Sequence, residues 1–328
     1  MSNDDFDAQG ARPSRGVDKT WERDVLEKLA FATLKEQRAR RRWGIFFKFV
    51  TLSIVALVLW REIDWSSLDT KASGPHTALV EIDGVIEEGN AGAASVVIPA
   101  LDNAYSDKNA VGVILHINSP GGSPVQAGMI NDEIMRLRKE YPKKPLYVVA
   151  DEVCASGGYY IAAAGDKIFV DKASIIGSIG VLMDGFGFTG LMNKVGVERR
   201  LMTAGENKGM LDPFSPVSDQ QKAYAQDMLN EIHQQFIDVV RKGRGKRLKE
   251  TKDTFSGLFW TGTKAVEMGL ADGFGTVDTV ARDVLKAEDL VDYTRREDLS
   301  EKVLKKFGMS IGQGAAKSLW HGVQPSLK

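Results

Sequence analysis

The chain of 328 residues has few cysteines and histidines and almost no net charge, which argues against several classes of protein. It has one cysteine, Cys154, so no intrachain disulfide can form. Its four histidines are scattered and lack metal-ligand spacing such as H-E-x-x-H, which argues against a zinc hydrolase. The formal net charge of −1 gives no charge excess for binding nucleic acid. We therefore expect a core held by packing, with no metal, no cofactor and no nucleic-acid partner.

One long apolar run is present, at residues 43–60. At ~1.5 Å per residue it would span roughly 27 Å as a helix, close to a bilayer core of ~30 Å. Tryptophan stands at both ends, as in interfacial aromatic belts. A buried helix of a soluble protein is the alternative, but apolar residues on all faces and the arginines just before the run favour a transmembrane helix.

Charge bias predicts the orientation of this span. Residues 1–42 are highly charged and end in an arginine cluster, so the positive-inside rule places them in the cytoplasm and the rest of the chain outside it. A cleaved signal peptide is disfavoured, because the leader is long and no small-x-small site follows Trp60. We predict an uncleaved signal anchor at residues 43–60, followed by a polar linker at residues 61–77.

From residue 78 onward, strand and helix patterns alternate. Short β-branched runs separated by helical stretches indicate an α/β fold with parallel strands and crossover helices. Ser123 with Pro124 predicts one helix start, and Ser218 with Gln221 predicts another as a capping box. The domain is expected to cover residues 78–290, before a charged and Gly/Ser-rich tail at 291–328. The predicted strands are Ala78–Ile86, Val111–Ile117, Pro145–Ala150 and Lys167–Val170.

Two residues 52 positions apart suggest a catalytic pair, Ser156 in the motif ASGGYY and Lys208 in GENKGM. A serine hydroxyl is a poor nucleophile until a base takes its proton, and a lysine whose pKa is lowered by burial can be that base. Each residue also has a plainer interpretation. Ser156 could simply cap a helix, and Lys208 could be a solvated surface charge.

Two glycine-rich segments could complete such a site. Residues 117–124 (INSPGGSP) follow a buried strand, and their amides, with the N–H of Gly157, could hold an oxyanion. A plain tight turn is the alternative for this loop. In the segment 173–181, Ser178 or Ser174 could accept a hydrogen bond from the lysine and orient it, although either serine could equally be structural.

These motifs together resemble peptidase family S49, the signal peptide peptidase A (protease IV) family, in its short form with a single catalytic unit. The resemblance covers roughly residues 78–290. It rests on four motifs in family order, Asn118–Gly122, Ala155–Tyr160, Gly177–Val181 and Trp260–Asp272.

The resemblance implies a ClpP/crotonase-type fold with Ser156 as nucleophile and Lys208 as general base. It also implies backbone oxyanion donors at Gly122 and Gly157, and a homo-oligomeric ring in which neighbouring subunits complete the active sites. The expected enzyme sits in the bacterial cytoplasmic membrane with its catalytic domain on the outer side. There it would hydrolyse apolar peptides such as remnant signal peptides.

Two other classes stay open, a crotonase-like acyl-transfer enzyme and a non-catalytic membrane scaffold. A histidine triad is disfavoured, because His116 lies inside a predicted strand, where we expect it to pack in the core, and His233 lies on the long predicted helix. Glu206 stands close to Lys208 in sequence and would weaken it as a base if the two paired. We expect Glu206 to point away.

Overall fold

The computed structural model describes residues 27–28, 40–54, 57 and 74–295, and the chain divides into two units, residues 1–69 and 70–328. In the first unit, residues 40–54 and 57 are helical, and the Trp43 ring lies 5.6 and 5.8 Å from those of Phe46 and Phe47. The predicted span at 43–60 is only partly covered, because 55–56 and 58–60 lie outside the described residues. Among the residues that are described, no helix is both long and apolar enough to cross a membrane.

In the second unit, residues 74–295 contain an eight-stranded sheet with the order β6-β5-β3-β2-β1-β8, in which β4 pairs with β3 and β7. Every pair is parallel except β5 with β6. The predicted α/β fold of parallel strands is confirmed. The strands are β1 (His76–Asp83), β2 (Ala110–Ser119), β3 (Leu146–Ala155), β4 (Lys167–Val170), β5 (Ile175–Gly177), β6 (Phe259–Thr261), β7 (Gly273–Phe274) and β8 (Leu290–Asp292).

Helices connect these strands, and the predicted start signals are confirmed. Ser123 Oγ accepts the N–H of Gln126, and Ser218 forms a reciprocal capping box with Gln221. A 3-10 turn (Gly245–Arg247) and a π-helical turn (Val280–Leu285) complete the connections. The helices are α1 (Ala94–Ser106), α2 (Pro124–Glu140), α3 (Gly157–Ala162), α4 (Thr189–Val195), α5 (Asp219–Arg244), α6 (Gly262–Glu267) and α7 (Val277–Thr279).

Several strand ends differ from the predicted ones. β1 stops at Asp83 because Gly84 turns the chain with φ +79°, and Ile86 instead forms an isolated bridge with Gly122. β2 and β3 run further than predicted, so both reach the residues of the candidate site. β8 crosses the predicted domain end at residue 290 by pairing with β1. Residues 296–328 of the predicted tail lie outside the described residues.

Both faces of the sheet are covered, which explains the nearly continuous apolar character of β2. On one face, Leu115 and Ile117 belong to the main core together with Ile134 of α2 and Phe236 of α5. On the other face, Ile114 and Val149 pack with the π-helical turn near the carboxyl terminus. The candidate site lies where the chain leaves the carboxyl ends of β2 and β3, at Gly121, Gly122 and Ser156.

A buried ion pair fixes the carboxyl end of α5. The Arg244 side chain is fully buried, and its guanidinium donates to the carbonyl of Gly269 and to the carboxylate of Asp272, both at 2.8 Å. The same carboxylate accepts the N–H of Ile168 in β4 at 2.7 Å. The long helix is therefore joined to the sheet at the end distant from its capping box.

Candidate active site

Ser156 lies at a sharp turn between β3 and α3, with φ 51° and ψ −122°. A non-glycine residue held there costs of order 1–3 kcal/mol, and such residues cluster at functional sites. Its N–H donates to the carbonyl of Gly177 at 2.8 Å, and its carbonyl accepts the N–H of Tyr160 at 2.9 Å. The hydroxyl has no hydrogen-bond partner among the described residues. The capping role that the sequence left open is therefore wrong.

The glycine loop after β2 packs directly against this turn. Gly121 and Gly122 have φ of +101° and +151°, which favour glycine. A Cβ atom on Gly121 would lie 2.6 Å from the nitrogen of Gly157, and one on Gly122 would lie 2.2 Å from the carbonyl oxygen of Ile86. Because neither position has a side chain, the loop can lie against Ser156 and Gly157 at Gly121 and against Ile86 at Gly122.

Two backbone amides beside Ser156, those of Gly122 and Gly157, have no protein acceptor among residues 74–295. Both residues next to Gly122 form hydrogen bonds with Ile86. The N–H of Ile86 donates to the carbonyl of Gly121 at 2.9 Å, and the N–H of Ser123 donates to the carbonyl of Ile86 at 2.7 Å. Within residues 74–295, neither Gly122 nor Gly157 donates its own N–H to a protein acceptor. The two amides are close, because a Cβ atom on Gly157 would lie 3.2 Å from the nitrogen of Gly122. Such a pair of free donors can hold an anionic oxygen.

A cavity of about 590 Å³ opens onto these groups. Ser156 and both glycines line it, and so do Tyr160 and Phe236, whose rings lie 5.1 Å apart and make that part of the lining apolar. The cavity can therefore take an apolar chain next to the hydroxyl and the amides. It is lined by Pro120, Gly122, Pro124, Ala127, Ser156, Gly157, Tyr160, Ser178, Gly180, Val181, Leu182, Ile232, His233, Gln235, Phe236, Ser256 and Gly257.

The structure separates the two serines that the sequence left as alternatives. Ser174 is buried, and its hydroxyl donates to the carbonyl of Asp151 and accepts the N–H of Asp171. Both bonds stay within the fold, so Ser174 is structural. Ser178 lines the cavity with φ 51°, and its N–H donates to the carbonyl of Leu258 at 2.8 Å. Of the two, Ser178 shares a cavity with Ser156.

Known proteins of one family are similar in sequence to this chain. The family model described as Peptidase family S49 matches residues 138–291. A protein of Enterococcus faecium that bears the name signal peptide peptidase SppA is 31% identical over 243 residues, covering 71% of this chain and 70% of that protein. The chain belongs to peptidase family S49. A protein of Methanocaldococcus jannaschii named as a protease is 32% identical, covering 68% of this chain and 73% of its own length.

A further relative has a different name and a much greater length. A Brucella abortus protein named Na(+)/H(+) antiporter NhaA is 48% identical over 182 residues, which cover 56% of this chain. The chain spans about a quarter of the length of this relative and of its Brucella melitensis counterpart. The chain is thus similar to a part of much longer proteins.

Lys208, the base that the S49 resemblance implies, lies elsewhere in the single chain. It is exposed, its N–H donates to the carbonyl of Gly205 at 3.1 Å, and it does not line the cavity that holds Ser156. In the described part of the chain, no ion pair joins Glu206 to Lys208, and the Glu206 carboxylate accepts the amide of Asn207 at 3.4 Å. One copy of the chain therefore does not bring the predicted Ser-Lys pair together.

Of two histidines in this S49 chain, His233 lies on the long helix as predicted, whereas the expectation for His116 was wrong. His116 does not pack in the core; it is half-buried, with its ring nitrogens 3.6 Å from Glu81 and 3.7 Å from Asp151. His233 lines the cavity, and its Nε2 lies 3.2 Å from the carbonyl oxygen of Ile179. Its place in the cavity was not predicted from the sequence. The signal was its place one helical turn before Phe236 on α5.

Cys154 offers no competing nucleophile, although it stands two residues before Ser156. Its side chain is buried in the core cluster, and burial raises the pKa of the thiol to about 12. The thiolate, which is the reactive form of cysteine, is therefore disfavoured near neutral pH. The candidate nucleophile that remains at this end of β3 is the hydroxyl of Ser156.

Proposed function

We propose that this S49 protein is a serine endopeptidase that hydrolyses apolar peptides through an acyl-enzyme on Ser156. One observation carries the proposal. Ser156 is held at positive φ and its hydroxyl has no hydrogen-bond partner among the described residues. It lines a cavity together with Gly122 and Gly157, whose amides have no protein acceptor there. A nucleophile next to two preorganised donors is the arrangement that acyl transfer requires.

The proposed reaction proceeds in two steps. The Ser156 oxygen attacks the peptide carbonyl as Lys208 takes the hydroxyl proton, and the amides of Gly122 and Gly157 bind the resulting oxyanion. The lysine then gives its proton to the leaving amine, and water hydrolyses the acyl-enzyme. Ser178, which lines the same cavity as Ser156, would accept a hydrogen bond from the lysine and orient it.

The exposed position of Lys208 supports a base supplied by a neighbouring copy. A lysine acts as a base only when neutral, and desolvation against another subunit favours that form. The part of the chain that leads to Lys208, from residue 182 onward, exposes large apolar side chains, among them Leu182 (81% exposed), Phe186 (80%) and Met202 (92%). An exposed apolar surface of this kind is typical of a protein–protein interface. A homo-oligomeric ring would bury the segment and bring Lys208 to the Ser156 of the next subunit.

Substrate binding follows from the cavity. Gly180, Val181 and Leu182 line it, and within the described residues none of their amides or carbonyls takes part in a backbone hydrogen bond. An extended peptide can pair with this edge while its side chains contact Tyr160 and Phe236. Because recognition is by backbone and apolar contact, the substrates are apolar segments such as remnant signal peptides.

The remaining parts of the proposal rest on the sequence and the family. The apolar run at residues 43–60 would anchor the protein in the bacterial cytoplasmic membrane, with residues 1–42 inside and the peptidase domain outside. The α/β unit would be of the ClpP/crotonase type. Protease treatment of vesicles tests the topology. In intact right-side-out vesicles only the peptidase domain should be cut, in intact inside-out vesicles only residues 1–42, and in opened vesicles both.

A serine replacement tests the activity. We expect Ser156→Ala to abolish hydrolysis of an apolar fluorogenic peptide while its circular dichroism and oligomer size match the wild type. Ser174→Ala is not a suitable control because it would remove two internal bonds, so Ser95→Ala, exposed on α1 and outside the cavity, serves instead. Wild-type rates in Ser156→Ala would overturn the proposal.

A further inference from the structure

His233 contacts the part of the cavity wall that carries Ser178. It lies on α5, is partly buried, and places Nε2 3.2 Å from the carbonyl oxygen of Ile179. Ile179 itself is fully buried and follows Ser178 directly. A histidine that belongs to the proposed substrate cavity thus holds the backbone beside a proposed site residue.

The contact fixes which nitrogen carries hydrogen. A carbonyl oxygen can only accept a hydrogen bond, so Nε2 must be protonated and donate. The same oxygen accepts the N–H of Gly257 at 3.1 Å. With Nε2 committed to Ile179, and with no hydrogen bond between His233 and Ser156 in the described part of the chain, the imidazole is not arranged as a base for the serine.

Ser178 needs such support. Its φ of 51° is unfavourable for a residue with a side chain and persists only where surrounding contacts impose it. The N–H of Ser178 donates to the carbonyl of Leu258 at 2.8 Å. The carbonyl of the following residue, Ile179, accepts the N–H of Gly257 and the Nε2–H of His233. Of these three bonds, the one from His233 comes from a side chain, so it can be removed without altering the backbone.

We propose that His233 is a positioning residue, which acts through the Ile179 carbonyl to hold Ser178 where it can orient the catalytic lysine. The inference rests on the proposed peptidase function. It assigns to His233 no contact with the reacting atoms. Its loss should therefore slow the chemical step and leave substrate binding almost unchanged.

A pair of variants tests this. Gln has an amide nitrogen near the position of Nε2 and can still donate to Ile179, whereas Leu has similar bulk and no donor. Because a hydrogen bond is worth about 1 kcal/mol, we expect His233→Leu to lower kcat about 5- to 10-fold with KM within about twofold. His233→Gln should recover most of the loss, and Gln234→Leu, exposed on the same helix, should behave as the wild type.

A KM effect without a kcat effect, equal rates in all variants, or failure of Gln to restore kcat would overturn the inference. Hydrogen exchange gives a readout that does not depend on activity. The amides of Ser178 and Gly257 should exchange faster in His233→Leu than in the wild type and return to the wild-type rate in His233→Gln. If the wild type hydrolyses no peptide, the proposed function fails, while unchanged exchange in the Leu variant separately contradicts the role of His233.

Discussion

The carbonyl oxygen of Ile86 lies where a side chain on Gly122 would have to go, 2.2 Å from the position of its Cβ atom. Any residue larger than glycine must push the loop away from Ile86 and so displace the Gly122 amide. We expect Gly122→Ala to lower kcat/KM by about 10²-fold or more, as loss of one oxyanion donor does. Peptide hydrolysis measures the effect.

Gly128 provides the matched control for this change. It lies within α2, and a Cβ atom there would meet nothing within 4 Å. Gly128→Ala should leave kcat/KM unchanged and raise stability by up to about 1 kcal/mol, because alanine favours the helix. Equal activity in the two variants would remove the Gly122 amide from the mechanism.

The two serines of the segment 173–181 should respond in opposite ways. Ser174→Ala leaves the carbonyl of Asp151 and the N–H of Asp171 without their partner in a buried site. We therefore expect the free energy of unfolding to fall by about 1–3 kcal/mol, with activity retained at low temperature. Ser178→Ala should keep stability within about 0.5 kcal/mol and lower kcat about 10-fold or more. Urea unfolding and hydrolysis rates separate the two. The reverse pattern would move the functional role to Ser174.

The ion pair between Arg244 and Asp272 should make stability depend on acid pH. Burial acts to raise the pKa of Asp272, but the hydrogen bond and charge of Arg244, with Ile168 and Arg247, outweigh it and hold the pKa below its usual value. The carboxylate therefore stabilises the fold above its unfolded pKa of about 3.9, and this contribution is lost as pH falls below that value.

Asp272→Ala tests the same contact by leaving the Arg244 guanidinium buried without its partner, so we expect a loss of about 3–5 kcal/mol. The variant should also lose part of the wild-type fall in Tm between pH 5 and pH 3. An exposed pair, Lys264 with Glu267, is the control, and Glu267→Ala should change stability by less than about 1 kcal/mol. A pH dependence of Tm in Asp272→Ala identical to the wild type would contradict the assignment.

Co-expression tests whether Lys208 acts in a neighbouring subunit. Ser156→Ala and Lys208→Ala should each be inactive. In a head-to-tail ring of equally mixed chains, about a quarter of the sites would combine an intact serine with an intact lysine, so about a quarter of the wild-type rate should return. Mixed assemblies, verified with two affinity tags, that stay inactive would place the base in the same chain as Ser156.

Helix starts and the turn at Ser156 could be predicted from the sequence, because the interactions that form them involve residues close together in the chain. The caps at Ser123 and Ser218 and the strand–turn–helix at Ser156 were visible in sequence, since each depends on neighbouring backbone groups. The choice between Ser174 and Ser178 was not, because it depends on bonds to Asp151 and Leu258, which lie far away along the chain.

The bridge from Ile86 to Gly122 and the contact of His233 with Ile179 were also missed. In both cases the partner is set by sheet order and helix packing rather than by local pattern. Lys208 shows a further limit, because its loop lacks any periodicity from which burial could be predicted. Its proposed environment would be formed by a second chain, and neither the sequence nor a single chain contains it.

The central claim is that Ser156 is the nucleophile, and covalent labelling tests it most directly. A fluorophosphonate reacts with an activated serine hydroxyl, and mass spectrometry of peptides from the labelled protein locates the adduct. We predict one adduct, on Ser156, formed in parallel with loss of peptide hydrolysis and slowed in Lys208→Ala. An active enzyme that is unlabelled at Ser156, or inactivated through an adduct on another residue, would contradict the account.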